Sequence, residues 1–183
     1  MVKDNPNRKV IATTVDQKGL EFANETINKL GYEKQIETKL EDLSRDWNYP
    51  ENYFYFIYAR LVLHYLSKVD LYKVLNNFSN SIKNDGLLFV VVRSVKNIDQ
   101  NDKNVSYDPE TCFTTIKYYH SNGQVEGESK RCFHTPETIS EHLKKAGFTI
   151  LEIKEYQERL YKDFMRKEIS PVEDFIIEVL CKK

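Results

Sequence analysis

Two apolar segments separated by one amphipathic helix constrain the fold of this chain more than any other feature. Residues 54–59 form an aromatic and β-branched run of strand length. Residues 87–92 are apolar without alternation, which is typical of a strand covered on both faces. Between them, the apolar residues of one helical face are Leu71, Val74, Leu75, Phe78 and Ile82. This order predicts a βαβ unit with two parallel strands.

The helix of this unit has recognisable end signals. Residues 67–70 supply capping oxygens at its start, although the sequence does not fix which residue is the N-cap. Residues 84–86 predict its end, with Gly86 free to take a positive φ. Upstream, residues 9–15 predict a strand, a helix closed by Gly31 follows, and residues 36–40 predict a second strand. A loop over residues 44–52 then leads into the βαβ unit.

A hairpin is predicted downstream of this unit, after an exposed loop over residues 95–108. Residues 113–121 and 124–132 flank Asn122-Gly123, the strongest short-range hairpin signal. A two-residue turn places Lys117 opposite Glu128 as a favourable cross-strand pair. The alternative, a disordered polar loop, is disfavoured by Ile116, Tyr118 and Tyr119 in the first segment.

The remaining segments predict a helix and two strands. Thr135-Pro136-Glu137 is a helix start, with a capping hydroxyl followed by proline at the first helical position. Gly147 closes this helix, and residues 148–153 predict the next strand. Residues 155–165 are interpreted as a mixed, partly helical crossover that leads to a last strand over residues 175–180.

Composition limits the classes of protein and partner. A chain of 183 residues is long enough for one domain with a full core, so we expect a single domain over residues 1–183. The net charge of −1 gives no indication of nucleic acid or of a membrane surface as a partner. No apolar run approaches the roughly 18 residues that span a bilayer, and no secretory signal is recognised. We therefore expect a cytoplasmic protein.

The three cysteines predict thiols and no metal site. They form neither a CxxC motif nor any metal-ligand spacing. Cys112 and Cys132 approach each other across the predicted hairpin, but a disulfide is not expected in a cytosolic chain.

Three segments, in this order, resemble the class I S-adenosylmethionine (SAM)-dependent methyltransferases: residues 58–67 (YARLVLHYLS), 83–88 (KNDGLL) and 131–148 (RCFHTPE through KAGF). The resemblance covers nearly the whole chain. It implies an α/β fold, a Rossmann-like methyltransferase fold truncated at the N-terminus. Its sheet would be mostly parallel with an antiparallel C-terminal strand, and a hairpin would be inserted at about residues 109–134.

The same resemblance shows which parts of the family's cofactor site are missing. That site begins with a first strand and a GxGxG turn, because only a backbone without side chains lets the cofactor approach closely. None of the six glycines forms this motif. An aspartate usual at the start of the family's fourth strand is replaced by Tyr55.

Other cofactor contacts are implied by position. Residues 9–16 resemble the family's second strand, where an acid usually binds the ribose hydroxyls; Thr14 holds the matching place, and Asp16 lies two residues on. Asp42 and Leu43 resemble the pair that contacts adenine. The resemblance thus assigns the SAM site to Thr14, Asp16, Asp42, Leu43, Ala59 and Arg60.

A missing first strand has consequences for assembly. In the family this strand lies between the second and fourth strands, and unpaired buried backbone groups cost about 1–3 kcal/mol each. Either those two strands pair with each other or another chain supplies the missing strand, since an exposed interior edge is a template for pairing. We expect a homo- or hetero-oligomer, with a methyltransferase paralogue as a possible partner.

Five side chains are candidates for chemistry at the site. His64, after the family's fourth strand, is either a general base or a residue that packs its ring against the sheet. Arg60 either contacts the methionine carboxylate of SAM or pairs with an acid on the rim. Arg93, Tyr118 and His134 are the candidate substrate contacts, with a solvated surface as the alternative for Arg93 and His134. Methyl transfer from a sulfonium depends mostly on positioning, so the function needs no catalytic dyad.

Three functions remain open. The first is SAM-dependent methyl transfer to a small molecule, with the cofactor loop supplied by a companion chain or missing from these 183 residues. The second is a non-catalytic, degenerate methyltransferase subunit that stabilises or regulates a complete paralogue. The third is a domain that binds another ligand in the remnant crevice.

Overall fold

The computed structural model describes residues 2–99, 101–161 and 167–183, excluding the side chains of residues 171–173. The strands are β1 (Val10–Thr14), β2 (Ile36–Leu40), β3 (Phe54–Arg60), β4 (Ile82–Arg93), β5 (Val105–Tyr107), β6 (Thr114–Tyr119), β7 (Val125–Arg131), β8 (Thr149–Tyr161) and β9 (Ile169–Lys182). The helices are α1 (Gln17–Leu30), α2 (Lys68–Ser81) and α3 (Pro136–Lys145). Backbone contacts divide the chain into two compact units, Met1–Asn48 and Tyr49–Lys183. The assignment of one domain to the whole chain stays a prediction.

The N-terminal unit is a β-α-β arrangement. Strands β1 and β2 are parallel, with Val10 beside Ile36 and Thr14 beside Leu40. The helix α1 connects them and ends at Gly31, whose φ of 73° lies in the left-handed region that favours glycine. The predicted strand over residues 36–40 and the closing role of Gly31 are both confirmed.

The C-terminal unit is built on a four-stranded sheet in the order β3-β4-β9-β8. Strands β3 and β4 are parallel, with Tyr58 beside Phe89. Strand β9 is antiparallel to both of its neighbours, so Phe89 also lies beside Leu180. This topology confirms the predicted βαβ unit and the antiparallel C-terminal strand.

Two helices cover one face of this sheet. Ser67 caps α2 by accepting a hydrogen bond from the Asp70 N–H at 3.2 Å, and Thr135 caps α3 in a reciprocal capping box with Thr138. The buried residues at the helix–sheet contact are Leu71, Val74, Leu75, Phe78, Ile139, Leu143, Leu88, Val90 and Val92. Burying each such side chain contributes about 1.5–3 kcal/mol, so this layer is the main core. No described helix has both the length and the apolar character needed to cross a membrane.

The opposite face of the sheet is aromatic and partly exposed. The rings of Tyr58 and Phe89 stack with centroids 5.6 Å apart and 9° between their planes. Phe56 stacks on Tyr58 at 6.4 Å, and both of these β3 side chains are exposed. The expectation that residues 87–92 are covered on both faces is therefore only partly met, since Phe89 is half-buried whereas Leu88 is fully buried.

The predicted end of the second helix was wrong. Helix α2 ends at Ser81, and β4 begins directly at Ile82. The residue with positive φ is Asp85, at 66°, rather than Gly86. Gly86 lies inside the strand, where a Cβ would come within 2.8 Å of the Lys83 carbonyl oxygen and 3.2 Å of that of Tyr55. This glycine is therefore explained by close approach of backbone.

The predicted crossover over residues 155–165 was also wrong for its described part. Residues 155–161 continue β8, which runs from Thr149 to Tyr161, and residues 162–165 of the predicted crossover lie outside the described residues. The last strand, predicted over residues 175–180, spans Ile169–Lys182. Long-range pairing between β8 and β9 extends both strands beyond their apolar centres.

The hairpin is confirmed and has one additional strand. Strands β6 and β7 are antiparallel, and Lys117 lies opposite Glu128 as predicted. The predicted two-residue turn was wrong: the pairing shifts between Tyr118 and Tyr119, and the His120 N–H donates to the Gln124 carbonyl at 2.9 Å, so the turn contains residues 121–123. Strand β5 pairs with β6 and makes the sheet three-stranded. The predicted loop over residues 95–108 therefore contains a short strand, as well as a single 3-10 turn at Val95–Asn97.

Gly86→Ala is expected to destabilise the protein by about 1–3 kcal/mol, because backbone oxygens occupy the space of the added methyl group. Gly127→Ala is the matched control: it lies in β7, its Cβ would meet nothing within 4 Å, and its φ is not positive. Urea unfolding of both variants measures the difference between their free energies of unfolding. Equal stability of the two would contradict the close-approach explanation.

Candidate functional site

The N-terminal unit brings four of the predicted cofactor residues to one edge. Since β1 and β2 are parallel, the segments that follow them meet where both strands end. The Thr14 hydroxyl accepts a hydrogen bond from the Asp16 N–H at 3.0 Å, and the Asp16 carboxylate accepts one from the Lys18 N–H at 3.1 Å. Asp42 and the half-buried Leu43 follow β2.

Asp42 also serves as a local capping group. Its Oδ1 accepts hydrogen bonds from both the N–H and the hydroxyl of Ser44, at 2.9 and 2.7 Å. The polar side chains at this edge therefore already bind their own backbone segments, as Asp and Thr commonly do in turns.

The other two predicted cofactor residues lie on β3 of the C-terminal unit. Ala59 is buried in the strand. Arg60 follows it and forms an ion pair with Glu158 of β8. The sequence left two interpretations of Arg60, contact with the methionine carboxylate of SAM or pairing with an acid of the protein. In the structure its partner is an acid of the protein.

The C-terminal unit brings two of the three predicted substrate residues close to His64. The segment after β7 runs past the ends of β3 and β4: the Cys132 N–H donates to the His64 carbonyl at 2.7 Å, and the His134 N–H donates to the Arg93 carbonyl at 3.0 Å. Arg131 precedes these residues on the same segment. We call His64, Arg93, Arg131 and His134 the carboxyl-edge cluster, because parallel strands β3 and β4 end here.

His64 is fully buried within this cluster. Its ring lies 4.3 Å from that of Tyr65, and neither ring nitrogen has a hydrogen-bond partner among the described residues. Burial, and then the charges of Arg93 and Arg131, lower the pKa of His64 to about 3. His64 is therefore a neutral imidazole at neutral pH. Its catalytic role stays a prediction, and in this structure its ring is closed to solvent.

His134 is also buried and neutral. Burial, followed by the nearby His142, lowers its pKa to about 4. The two imidazole rings are 5.9 Å apart and perpendicular, and Nδ1 of His142 lies 3.0 Å from the Tyr72 hydroxyl. His134 is thus not the solvated surface residue that the sequence left as its alternative.

The two arginines of the cluster have different partners. Arg93 forms an ion pair with Asp174 of β9. The guanidinium of Arg131 lies over the ring of Tyr65 at 5.6 Å, and no carboxylate pairs with it among the described residues. Sequence reasoning assigned no role to Arg131. The hairpin register offered a signal, because Arg131 pairs with Thr114, the buried residue of β6.

Tyr118, the third predicted substrate residue, belongs to a different environment. It lies on β6, and its hydroxyl is 3.2 Å from the Ser129 hydroxyl of β7. None of its described interactions involves the carboxyl-edge cluster.

The cysteines are free thiols, as expected. Burial raises the pKa of Cys132 and of Cys181 to about 12, so neither is an ionised nucleophile at neutral pH.

Comparisons with known proteins point to one family. Residues 2–90, slightly less than half of the chain, match the family described as a methyltransferase domain. This match supports the class I SAM-dependent methyltransferases as the family that the chain resembles. A SAM-dependent methyltransferase from Methanosarcina mazei has a similar structure, with a TM-score of 0.70 and 13% identity, over 96% of this chain and 82% of that one. One from Clostridium acetobutylicum has a TM-score of 0.64 and 17% identity, over 96% and 75%.

These structural likenesses confirm the predicted Rossmann-like methyltransferase fold, and they show the fold alone. The [4+2]-cyclase SpnF also matches this chain, with a TM-score of 0.64 and 14% identity, over 100% of this chain and 68% of that one. The fold therefore does not by itself specify the reaction. No curated protein matches the sequence.

SAM is the cofactor of the methyltransferase family, but the described residues of this chain do not fit a complete SAM site. The chain has no glycine-rich turn. Thr14, predicted at the place of the ribose-binding acid, accepts the Asp16 N–H. Asp42, predicted to contact adenine, has its Oδ1 bonded to Ser44. The roles of Asp42 and Leu43 in binding SAM stay predictions.

His64→Gln is expected to reduce the pH dependence of stability. The pKa of His64 is about 3 in the folded chain and 6.5 for an ordinary imidazole, so only the unfolded state binds a proton between these values. The stabilisation is complete above about pH 6.5 and declines as the pH falls towards 3; at about pH 5 the loss is about 2 kcal/mol. Urea unfolding at about pH 8 and about pH 5 measures the difference in the free energy of unfolding between the two pH values.

The control for this experiment is His120→Gln, which removes an exposed histidine of the hairpin turn. It should retain the wild-type difference between the two pH values. If His64→Gln retained that difference as well, His64 would not be held neutral in the folded protein.

Proposed function

We propose that the chain is a subunit of a SAM-dependent methyltransferase that acts on a small molecule, and that a companion chain completes its cofactor site. The observation that carries this proposal is the position of β3. It is the edge strand of the four-stranded sheet, although it is parallel to β4 and rich in apolar residues. Parallel strands of this composition normally lie inside a sheet.

The open edge supports a partner that adds a strand. No described strand pairs with the outer side of β3, and β1 pairs only with β2 among the described residues. Unpaired backbone groups on such an edge are a template for strand addition. A methyltransferase paralogue with its own glycine-rich turn would supply the additional strand. Its glycines would also let SAM lie close to the backbone, since they carry no side chains.

The acceptor side of the proposed enzyme is supplied by this chain. The carboxyl-edge cluster lies where β3 and β4 end, which is where ligands bind in open α/β sheets. Methyl transfer to a good nucleophile depends mostly on orientation, so buried, rigid side chains suit the role of positioning a small acceptor. Free buried thiols are consistent with a cytoplasmic location.

The alternative is a non-catalytic subunit that stabilises or regulates a complete paralogue. The observation that favours it is the use of Thr14, Asp16 and Asp42 as capping groups for their own loops. Side chains that already bind the backbone contribute less to a ligand, and a degenerate cofactor edge would need only this local role.

Calorimetric titration of SAM separates these functions. We expect no saturable binding by the isolated chain, and saturable binding by its complex with a companion, for which a neighbouring reading frame that encodes a GxGxG turn is the first choice. Tight binding by the isolated chain would refute the need for a companion. A third result would favour the non-catalytic subunit. In that case the companion alone binds SAM, and adding this chain changes neither its affinity for SAM nor its turnover.

Tyr58→Lys is expected to weaken association with the companion by about tenfold or more, since a charge on an edge strand opposes strand addition. Tyr119→Lys is the matched control, because it places the same charge on an exposed tyrosine of the hairpin. Sedimentation of each variant with the companion measures the association, and circular dichroism checks the fold. Equal affinities for the two variants would show that β3 is not the docking edge.

A further inference from the structure

The carboxyl-edge cluster contains buried polar atoms without hydrogen-bond partners. Nε of Arg93 and Nε of Arg131 are buried and have no hydrogen-bond partner among the described residues. Both ring nitrogens of His64 and Nε2 of His134 are in the same condition. An unsatisfied buried polar group costs about 1–3 kcal/mol, so several in one place indicate a group that the protein itself does not supply.

These groups act on one another at short range. After burial, the charges of Arg93 and Arg131 lower the pKa of His64, so both guanidiniums lie near its ring. The backbone hydrogen bonds from Cys132 to His64 and from His134 to Arg93 hold the two segments together. The cluster is thus fixed by main-chain contacts and does not depend on side-chain contacts among its members.

The carboxylates near the cluster are already paired. Asp174 forms an ion pair with Arg93, and Glu155 binds both the Ser94 hydroxyl and the Lys96 ammonium. Arg131 has only its contact with the Tyr65 ring. Arg131 is therefore the guanidinium of the cluster that has no carboxylate partner among the described residues, and it lies beside neutral imidazoles that can each donate one hydrogen bond.

We propose that the carboxyl-edge cluster binds an oxyanion, the carboxylate or phosphate group of a small molecule, with Arg131 as its principal ligand. An oxyanion is an acceptor only, which matches the unpartnered guanidinium N–H groups and the one N–H of each neutral imidazole, and a guanidinium binds it through two parallel hydrogen bonds. Arg93 and the two histidines line the inner side. Tyr65, which is 54% exposed, lies against the guanidinium on the outer side, and Arg131 itself is half-buried.

This proposal deepens the proposed function in one respect. If the chain is the acceptor side of a methyltransferase, the methyl acceptor is an anionic small molecule. That last step rests on the proposed function, whereas oxyanion binding itself requires neither SAM nor a companion.

The test is an NMR titration of the full chain with sulfate, whose charge is constant near neutral pH, against chloride at matched ionic strength. The four histidines of the chain are separate reporters. We expect saturable shifts of the His64 and His134 ring resonances with sulfate and none of the exposed His120 ring. Acetate as a second probe distinguishes a carboxylate site from one that prefers the tetrahedral anion.

Two neighbouring substitutions give a matched comparison. Arg131→Gln should weaken sulfate binding by about tenfold or more, since a charge-assisted pair is lost. Lys130→Gln removes the same charge from the adjacent residue, which is exposed and paired with Glu128, and should leave the affinity within about twofold. Arg131→Lys keeps the charge without the planar fork and should give an intermediate affinity.

Several results would overturn the proposal. No saturable shift, equal shifts with chloride, or equal losses in the two Gln variants would each show that the donors are satisfied by water or by unspecific electrostatics. Unchanged chemical shifts of His120 and His142 in Arg131→Gln establish that the variant is folded. Sulfate binding without SAM binding in any complex would instead reject the proposed function and retain the oxyanion site.

Discussion

The burial of one sheet face under α2 and α3 is the interaction on which the rest of the C-terminal unit depends. Leu88, Val90 and Val92 project from alternate positions of β4 into this layer and are fully buried. Because the register of a strand fixes the face of every side chain, the same contact turns Phe89 towards the opposite face. It also fixes the point at which β4 ends, and Arg93 lies at that point. The position of the site therefore follows from hydrophobic packing some distance away from it.

The short segment after β7 converts this framework into a site. Its backbone donates to the carbonyls of His64 and Arg93, so the hairpin sheet is attached at the ends of two parallel strands. The attachment encloses polar side chains, and burial then keeps the imidazoles neutral. Buried polar groups of this kind are costly to the fold unless something else satisfies them. This cost in stability is explained if the unpartnered groups serve to bind a ligand.

Local patterns in the sequence predicted most of the elements, and long-range contacts explain the failures. The hairpin at Asn122-Gly123, the cap at Thr135 and the amphipathic face of α2 each depend on residues close in sequence, and each was confirmed. The extension of β8 through residues 155–161 depends on pairing with β9, which local composition does not report. Gly86 was interpreted as a helix terminator because the approach of the Tyr55 carbonyl is also a long-range event.

The candidate site shows the same division. Residues at strand ends were predictable because parallel topology brings those ends together, and His64, Arg93 and His134 do meet there. Arg131 was not assigned, since its place follows from the attachment of the hairpin and not from any motif. The cofactor edge was identified from a resemblance, yet its side chains bind their own loops. The carboxyl-edge cluster is enclosed within this chain, whereas β3 remains at the edge of its sheet, so the two halves of the proposed function rest on different observations.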